Sequence, residues 1–162
     1  MVDAANIVRS LAFGVSISVT SSLIKLRFPN SSFTTPPDTR PTLQPPGWLF
    51  GIVWTILYIL VGVTWVMTAG PPSTDLMFTT VTVLCCIWLP TYLVAKRYVM
   101  STIILVLCAG VTVAILALTA SAYKWLLTPF LGWILFASYL NLHRATAVRC
   151  HVAAQRGDLD IA

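Results

Sequence analysis

The residues best suited to chemistry in this chain are aromatic side chains that recur along apolar segments. One segment carries, at steps of three or four residues, Gly47, Gly51, Trp54, Tyr58, Gly62 and Trp65. This spacing predicts that they share one face of a helix. Indole and phenol rings beside glycines form ridges and hollows that can stack against a flat aromatic ligand. The alternative is ordinary helix packing, in which Gly47 and Gly51 let a neighbouring helix approach closely.

A later segment repeats the aromatic theme and adds polar residues. One side of this predicted helix carries Trp133, Ala137, Leu140, Asn141 and Arg144. An amide in an apolar helix is costly unless it is hydrogen-bonded. Asn141 therefore indicates either a functional site or an interhelical hydrogen bond that only holds the helices together. A third segment places Trp88 and Tyr92 one turn apart, where core packing is the alternative to ligand contact.

Groups that hydrolysis or ion coupling would need are missing from the predicted spans. No acid falls inside a span, and neither His143 nor His151 lies deep in one. We therefore expect no Ser-His-Asp triad, no proton relay and no metal site at membrane depth. No cofactor is expected to be obligatory. A tetrapyrrole such as a porphyrin or haem would be a ligand, held mainly by stacking and shape.

The elements that position these side chains must be helices in a bilayer. Charged residues make up 9% of the chain, against about 25% in a typical soluble domain. Charge is absent from four stretches, each long enough for the roughly 20 residues of a spanning helix: 41–74, 76–95, 98–123 and 125–142. A fifth apolar run covers 7–24, where Arg9 lies near the start and can snorkel to the interface.

We predict an all-α fold: a single domain, residues 1–162, that forms an integral membrane bundle of five transmembrane helices. The predicted helices lie at about 5–26, 46–69, 76–95, 99–121 and 126–148. A proline-rich loop joins the first two helices over residues 27–45. The remaining links are short, which favours antiparallel neighbours in an up-down bundle.

The distribution of Lys and Arg predicts the orientation and the partners. Eight of the ten lie on the side of the long loop and the C-terminus. This bias places the long loop and the C-terminus in the cytoplasm. The net charge of the chain is +5, and its basic residues flank the apolar spans. We therefore expect these residues to contact the anionic headgroups of membrane lipids and do not expect a nucleic-acid partner.

A proposed cholesterol-contact pattern, which is permissive, also occurs in the last helix. Leu135, Tyr139 and Arg144 fit it and are the sterol-contact candidates. A second match at Leu89, Tyr92 and Lys96 shows how readily the pattern arises in a short chain.

Two long motifs resemble the signatures of a known family. Residues 45–58 read PPGWLFGIVWTILY after Arg40-Pro41, and residues 129–137 read PFLGWILFA before Leu140-Asn141. These runs are similar to the PPxWxFGxxWTxLY and PYLxWxxFAxxLN runs of the TspO/MBR family (translocator protein, tryptophan-rich sensory protein, peripheral-type benzodiazepine receptor). The likeness covers helices II to V, and helix I by hydropathy alone. Thr34-Thr35 replace the family's Trp-Tyr pair, and Cys85 replaces an Asn before Trp88.

The resemblance implies a five-helix bundle, often a homodimer, with a pocket closed by the loop between helices I and II. The family binds porphyrins, cholesterol-like lipids and benzodiazepine-type drugs, in a mitochondrial outer membrane or other organelle membrane, or in a bacterial cell envelope. Carried over to this chain, the ligand contacts are Arg40 in the lid and Trp54, Tyr58, Trp88, Trp133, Ala137, Leu140 and Asn141.

The function implied by the resemblance is a membrane receptor for porphyrins and cholesterol-like lipids, involved in their transport or scavenging. The alternative is a light-dependent porphyrin-degrading enzyme, in which Trp54 and Trp133 would be the catalytic residues. The sequence leaves open whether the protein is an enzyme.

Overall fold

The computed structural model describes residues 4–31, 44–69 and 71–159, and these residues are almost entirely helical. The main helices are α1 (Ala4–Arg27), α2 (Gly47–Thr68), α3 (Pro72–Leu93), α4 (Tyr98–Leu118) and α5 (Thr128–Leu159), and a short 3-10 helix, Ala122–Leu127, precedes α5. Within the described residues, five helical segments are long and apolar enough to cross a bilayer. The prediction of an all-α, multi-pass integral membrane bundle is confirmed.

The helix boundaries differ from the sequence prediction mainly in α3 and α5. α3 begins at Pro72 instead of residue 76, because a proline in the first helical turn leaves no hydrogen bond unmade. Asp75 therefore lies in the first turn of a spanning helix, and the expectation that no acid falls inside a span was wrong. α5 continues to Leu159, well beyond the predicted end at residue 148.

The five helices close into a ring. α1 packs against α2 and α3, α4 packs against α3 and α5, and α2 completes the ring by contacting α5. The short link between α3 and α4 makes these neighbours antiparallel. The contacts that α2 makes with α3 and α5 are much sparser than those between α4 and its neighbours, so space remains beside α2.

The side chains are sorted as a bilayer requires. The interior holds fully buried apolar residues such as Phe13, Phe130 and Ile134, whereas Leu23, Leu76 and many other large apolar side chains are exposed around the outside. A soluble monomer rarely exposes so extensive an apolar surface, whereas lipid tails solvate it. Buried hydroxyls are satisfied inside the helices: the side chains of threonines such as Thr64 and Thr112 donate to the carbonyl oxygen four residues earlier.

An ion pair ties three helices together at one end of the bundle. The Arg9 guanidinium on α1 donates from Nε and Nη2 to the two carboxylate oxygens of Asp75 on α3, at 2.9 and 2.8 Å. The indole N–H of Trp65 on α2 donates to the same carboxylate at 2.7 Å. This bidentate geometry accounts for a charged pair at the ends of apolar helices. Arg9 is thus held by a protein partner, although snorkelling alone was expected.

Two glycines of α2 have different roles. A Cβ at Gly62 would collide with the backbone carbonyl of Ser10, so α1 and α2 touch there backbone to backbone. A Cβ at Gly51 would meet no atom within 4 Å. The close helix contact considered as an alternative is therefore absent at Gly51 and occurs about three turns further along α2, at Gly62.

We predict that Gly62→Ala destabilises the bundle by about 1–3 kcal/mol, because the added methyl group forces two backbones apart. Gly51→Ala is the matched control in the same helix. It should leave stability unchanged or raise it by up to about 1 kcal/mol, the difference in helix propensity. Thermal unfolding of both variants in detergent, followed by circular dichroism, measures the contrast. Equal melting temperatures for the two variants would contradict the close contact.

Candidate functional site

Aromatic side chains from three helices converge on one pocket, which we call the aromatic pocket. α2 contributes Phe50 and Trp54, α3 contributes Trp88 and Tyr92, and α5 contributes the remaining helical residues. The full lining is Gln44, Phe50, Trp54, Trp88, Tyr92, Trp133, Ala137, Leu140, Asn141 and Arg144. Six of the ligand contacts carried over from the family resemblance are therefore brought together here: Trp54, Trp88, Trp133, Ala137, Leu140 and Asn141.

The aromatic pocket is nearly filled by its own side chains. Trp54 lies 5.8 Å from Trp88 between ring centroids, and Phe50 meets Trp133 edge-on at 5.5 Å. The free space among these side chains is about 20 Å³, enough for a single water molecule. A flat ligand can therefore enter only by displacing rings that now contact each other.

Two polar side chains in the aromatic pocket differ in how they are satisfied. The Asn141 amide donates to the Ser101 hydroxyl on α4 at 2.8 Å, so the interhelical hydrogen bond considered as an alternative is present. Asn141 nevertheless lines the pocket. The indole N–H of Trp133 is buried and has no hydrogen-bond partner among the described residues. A buried donor without a partner costs about 1–3 kcal/mol, so a ligand acceptor at this point would be stabilising.

Arg144 also lies in the aromatic pocket. Its Nη1 donates to the Tyr92 hydroxyl at 2.7 Å, and its guanidinium lies over the ring of Tyr98, 4.6 Å from the centroid. Tyr92 bridges this cation to the tryptophans, since its ring stacks on Trp88 at 5.7 Å. The sequence predicted Arg144 both on the helix face of Trp133 and Asn141 and within the sterol-contact pattern, and the structure places it in the pocket with Trp133 and Asn141.

The three sterol-contact candidates do not form one surface. Leu135 and Tyr139 are 53% and 46% exposed on the outside of α5, whereas Arg144 faces the pocket. The reason is helical geometry: nine residues at 3.6 per turn rotate a side chain by about 180°. The cholesterol-contact pattern specifies spacing along the sequence but not the helix face, so its matching residues lie on opposite sides of α5.

A larger cavity lies on the other side of Trp54 and Trp88, and we call it the α1 groove. It holds about 420 Å³ and is lined by Ile17, Ser18, Ser21, Ser22, Lys25, Gly47, Phe50, Gly51, Trp54, Tyr58, Cys85, Trp88 and Leu89. Cavities that bind small molecules span about 300–1,000 Å³. Phe50, Trp54 and Trp88 line both cavities, so these three rings form the partition between them.

Tyr58 belongs to the α1 groove and does not line the aromatic pocket, although its ring is 5.8 Å from that of Trp54. The polar residues that α1 presents to the groove were missed by the sequence analysis. Their signal was available in the spacing of Ser18, Ser21, Ser22 and Lys25, which recur every three or four residues. Hydropathy, which identifies α1 as a span, does not report this spacing.

Several predicted features can be placed only in part. Arg40 and Thr34-Thr35 lie outside the described residues, as do residues 32–43 of the predicted lid loop. Cys85, which replaces the family's Asn, is fully buried and packs its sulfur 3.8 Å from that of Cys108 on α4. The departure at this position therefore places a small apolar side chain in the wall of the α1 groove.

Comparison with known proteins identifies the family of this chain. The model of the family described as TspO/MBR matches residues 11–145 of this chain. The chain belongs to the TspO/MBR family. This TspO/MBR match begins within α1, so the first helix shares more than hydropathy with the family, and it includes the residues that line both cavities.

Curated relatives agree with this assignment. A tryptophan-rich protein TspO of Archaeoglobus fulgidus is 32% identical over 109 residues, which cover 63% of this chain and 71% of the relative. A tryptophan-rich protein TspO of Chlorobaculum tepidum is 29% identical over 131 residues, covering 70% of this chain and 83% of the relative. This TspO/MBR protein is therefore similar to proteins named tryptophan-rich protein TspO in two different organisms.

Proposed function

We propose that this TspO/MBR protein is a membrane receptor that binds porphyrins and cholesterol-like lipids and takes part in their transport or scavenging. The observation that carries the proposal is the convergence of Trp54, Trp88 and Trp133 around one pocket between α2, α3 and α5. Three indoles offer broad flat faces, and two of them, Trp54 and Trp88, also line the α1 groove. Planar ligands gain from such faces by stacking as well as by apolar burial.

The two cavities suit the two ligand classes differently. A tetrapyrrole is flat and carries polar edges, so after displacing the rings that fill the aromatic pocket it would lie between indole faces, with its polar edge toward Asn141 and Arg144. A sterol is a rigid apolar body with a hydroxyl. The α1 groove offers it apolar walls, the hydroxyls of Ser18 and Ser21, and an opening toward the lipid beside exposed Gly51.

A second candidate function is light-dependent porphyrin degradation. It is favoured by the continuous aromatic contacts from Tyr58 through Trp54 and Trp88 to Tyr92, with successive centroids 5.7–5.8 Å apart. Side chains in such contact can be oxidised in turn by an excited porphyrin bound against them. The reaction would need light and molecular oxygen in addition to the protein.

We also propose that the loop between α1 and α2 and the C-terminus of α5 lie in the cytoplasm. Of the two basic residues on the opposite side, Arg9 is paired with Asp75, so Lys124 is the remaining cation counted there. The bias of Lys and Arg toward the side of Lys25 and Arg149 supports this orientation.

Receptor function is tested by titrating protoporphyrin into purified protein. We expect saturable quenching of tryptophan fluorescence, and a shift of the porphyrin absorbance band that does not depend on the protein's own fluorescence. Trp54→Ala and Trp133→Ala should each raise the Kd about tenfold or more, the effect of losing a central aromatic anchor. Trp125→Ala is the matched control, because Trp125 is 61% exposed and lies outside both cavities. Unchanged binding in both pocket variants would refute the site.

Degradation is tested by illuminating the same complex. If the second function holds, new absorbance bands should appear with light and oxygen, and Trp54→Phe and Trp133→Phe should slow their appearance at saturating porphyrin. Dark and oxygen-free samples serve as controls. Bands that form at the same rate with free porphyrin in detergent would assign the chemistry to the porphyrin alone.

Orientation is tested with a thiol reagent that does not cross membranes. Cys150 is exposed near the cytoplasmic end of α5, so it should react only after intact cells are permeabilised. In a Cys150→Ser background, Ala120→Cys places a thiol in the exposed link before the 3-10 helix, and it should react in intact cells. The reverse labelling pattern would show that the orientation is inverted.

A further inference from the structure

We propose that Arg144 is the receptor for a carboxylate of the ligand, so that the aromatic pocket selects amphiphilic acids over neutral molecules of the same shape. This inference rests on the proposed function, because it takes the aromatic pocket as the ligand site. It adds a substrate class and names the residue that recognises it. Arg144 lies one turn beyond Asn141, on the face of α5 that lines the aromatic pocket.

The guanidinium of Arg144 is held in place but retains donors for a ligand. Nη1 donates to the Tyr92 hydroxyl at 2.7 Å, and the group is stacked 4.6 Å from the ring centroid of Tyr98. No other donor of this guanidinium has an acceptor among the described residues. A guanidinium carries five N–H donors in a planar fork that matches a carboxylate. The ring contacts hold this fork at the polar end of the pocket.

The described part of the chain supplies no counter-ion for Arg144. Asp75 is the only acidic residue whose side chain is described, and both its carboxylate oxygens are bound by Arg9. Asp75 lies in the first turn of α3 and Tyr92 lies near the end of that helix. At 1.5 Å per residue, Asp75 and Tyr92 are about 25 Å apart along α3. The cation therefore faces the pocket without a charged partner from this part of the protein.

Such a cation favours an anionic ligand more strongly here than in water. The pocket is lined mostly by apolar and aromatic side chains, and the low dielectric of such surroundings strengthens the attraction between opposite charges. The Tyr92 hydroxyl is a neutral acceptor. A carboxylate would offer two oxygens to the same fork, and charge-assisted bidentate pairs are the stronger hydrogen bonds. Binding of an acid would thus replace the Arg144–Tyr92 bond and release a ring that now helps to fill the pocket.

The competing explanation is that Arg144 only fastens α5 to α3 and α4 through Tyr92 and Tyr98. Carboxylate recognition and a purely structural role can be distinguished by comparing protoporphyrin with its dimethyl ester. The ester has the same ring but no ionised carboxylates. Each is titrated into the full-length protein in nanodiscs of phosphatidylcholine, and signals from empty nanodiscs are subtracted. We expect the wild-type protein to bind the acid about tenfold or more tightly than the ester, in line with a hydrogen bond to a charged group.

Substitutions test whether Arg144 causes the preference for the acid over the ester. Arg144→Gln should weaken binding of the acid about tenfold and leave the ester nearly unchanged, and Arg144→Lys should restore part of the preference. Arg149→Gln, an exposed cation on the same helix, is the matched control and should keep the full preference. Tyr92→Phe removes the hydrogen bond but leaves the cation. If Arg144 is a carboxylate receptor, Tyr92→Phe should keep the preference for the acid; if Arg144 is only a fastener, it should behave like Arg144→Gln.

The remaining outcomes distinguish this inference from the proposed function. Equal binding of acid and ester by the wild type, or equal loss of both in Arg144→Gln, overturns the carboxylate receptor while leaving porphyrin binding intact. Absence of saturable binding by either compound overturns the proposed function as well. The titrations are repeated with phosphatidylglycerol in the nanodisc. If anionic headgroups abolish the preference for the acid, the site belongs to lipid phosphate and the proposal fails.

Discussion

In hydrocarbon, a polar group must find its partner within the protein, because no water is available and each unpaired group costs several kcal/mol. This constraint explains the helical backbone, and it also explains where the few polar side chains lie. Asp75 is bonded by Arg9 and Trp65, Asn141 by Ser101, and Arg144 by Tyr92. Every one of these bonds joins different helices, so the same bonds that satisfy polar groups also fix the arrangement of the bundle.

The exceptions to this constraint concentrate where a ligand is proposed. The Trp133 indole N–H is buried without a partner among the described residues, and most donors of Arg144 have no acceptor there. Both residues line the aromatic pocket. A pocket that presents unmet donors between indole faces is suited to a flat molecule with acceptor groups at its edge. The polar and the aromatic features of the site thus lead to the same class of ligand.

The order of the helices in the ring gives the site its two compartments. α2 is closely packed on α1 at Gly62 but only sparsely in contact with α3 and α5, so its middle and first half border open space. Trp54 and Trp88 stand in that space as a partition between a nearly filled pocket and a groove of about 420 Å³. Movement of these rings would join the two cavities. Glycines on the groove side, such as Gly51, leave room for it.

The sequence by itself determined that lipid surrounds the chain, how many spans it has and which residues form most of the aromatic site. Charge-free stretches and helical spacing reveal these features because both are local properties of the chain. Local patterns could not show that α3 starts early enough to include Asp75, nor that Arg144 would bond to Tyr92 and lie over the ring of Tyr98. Only the tertiary structure decided which rings meet and which polar groups find partners. Those outcomes depend on the order of the helices in the ring, which brings α2 beside α5 although some 60 residues or more separate them in the chain.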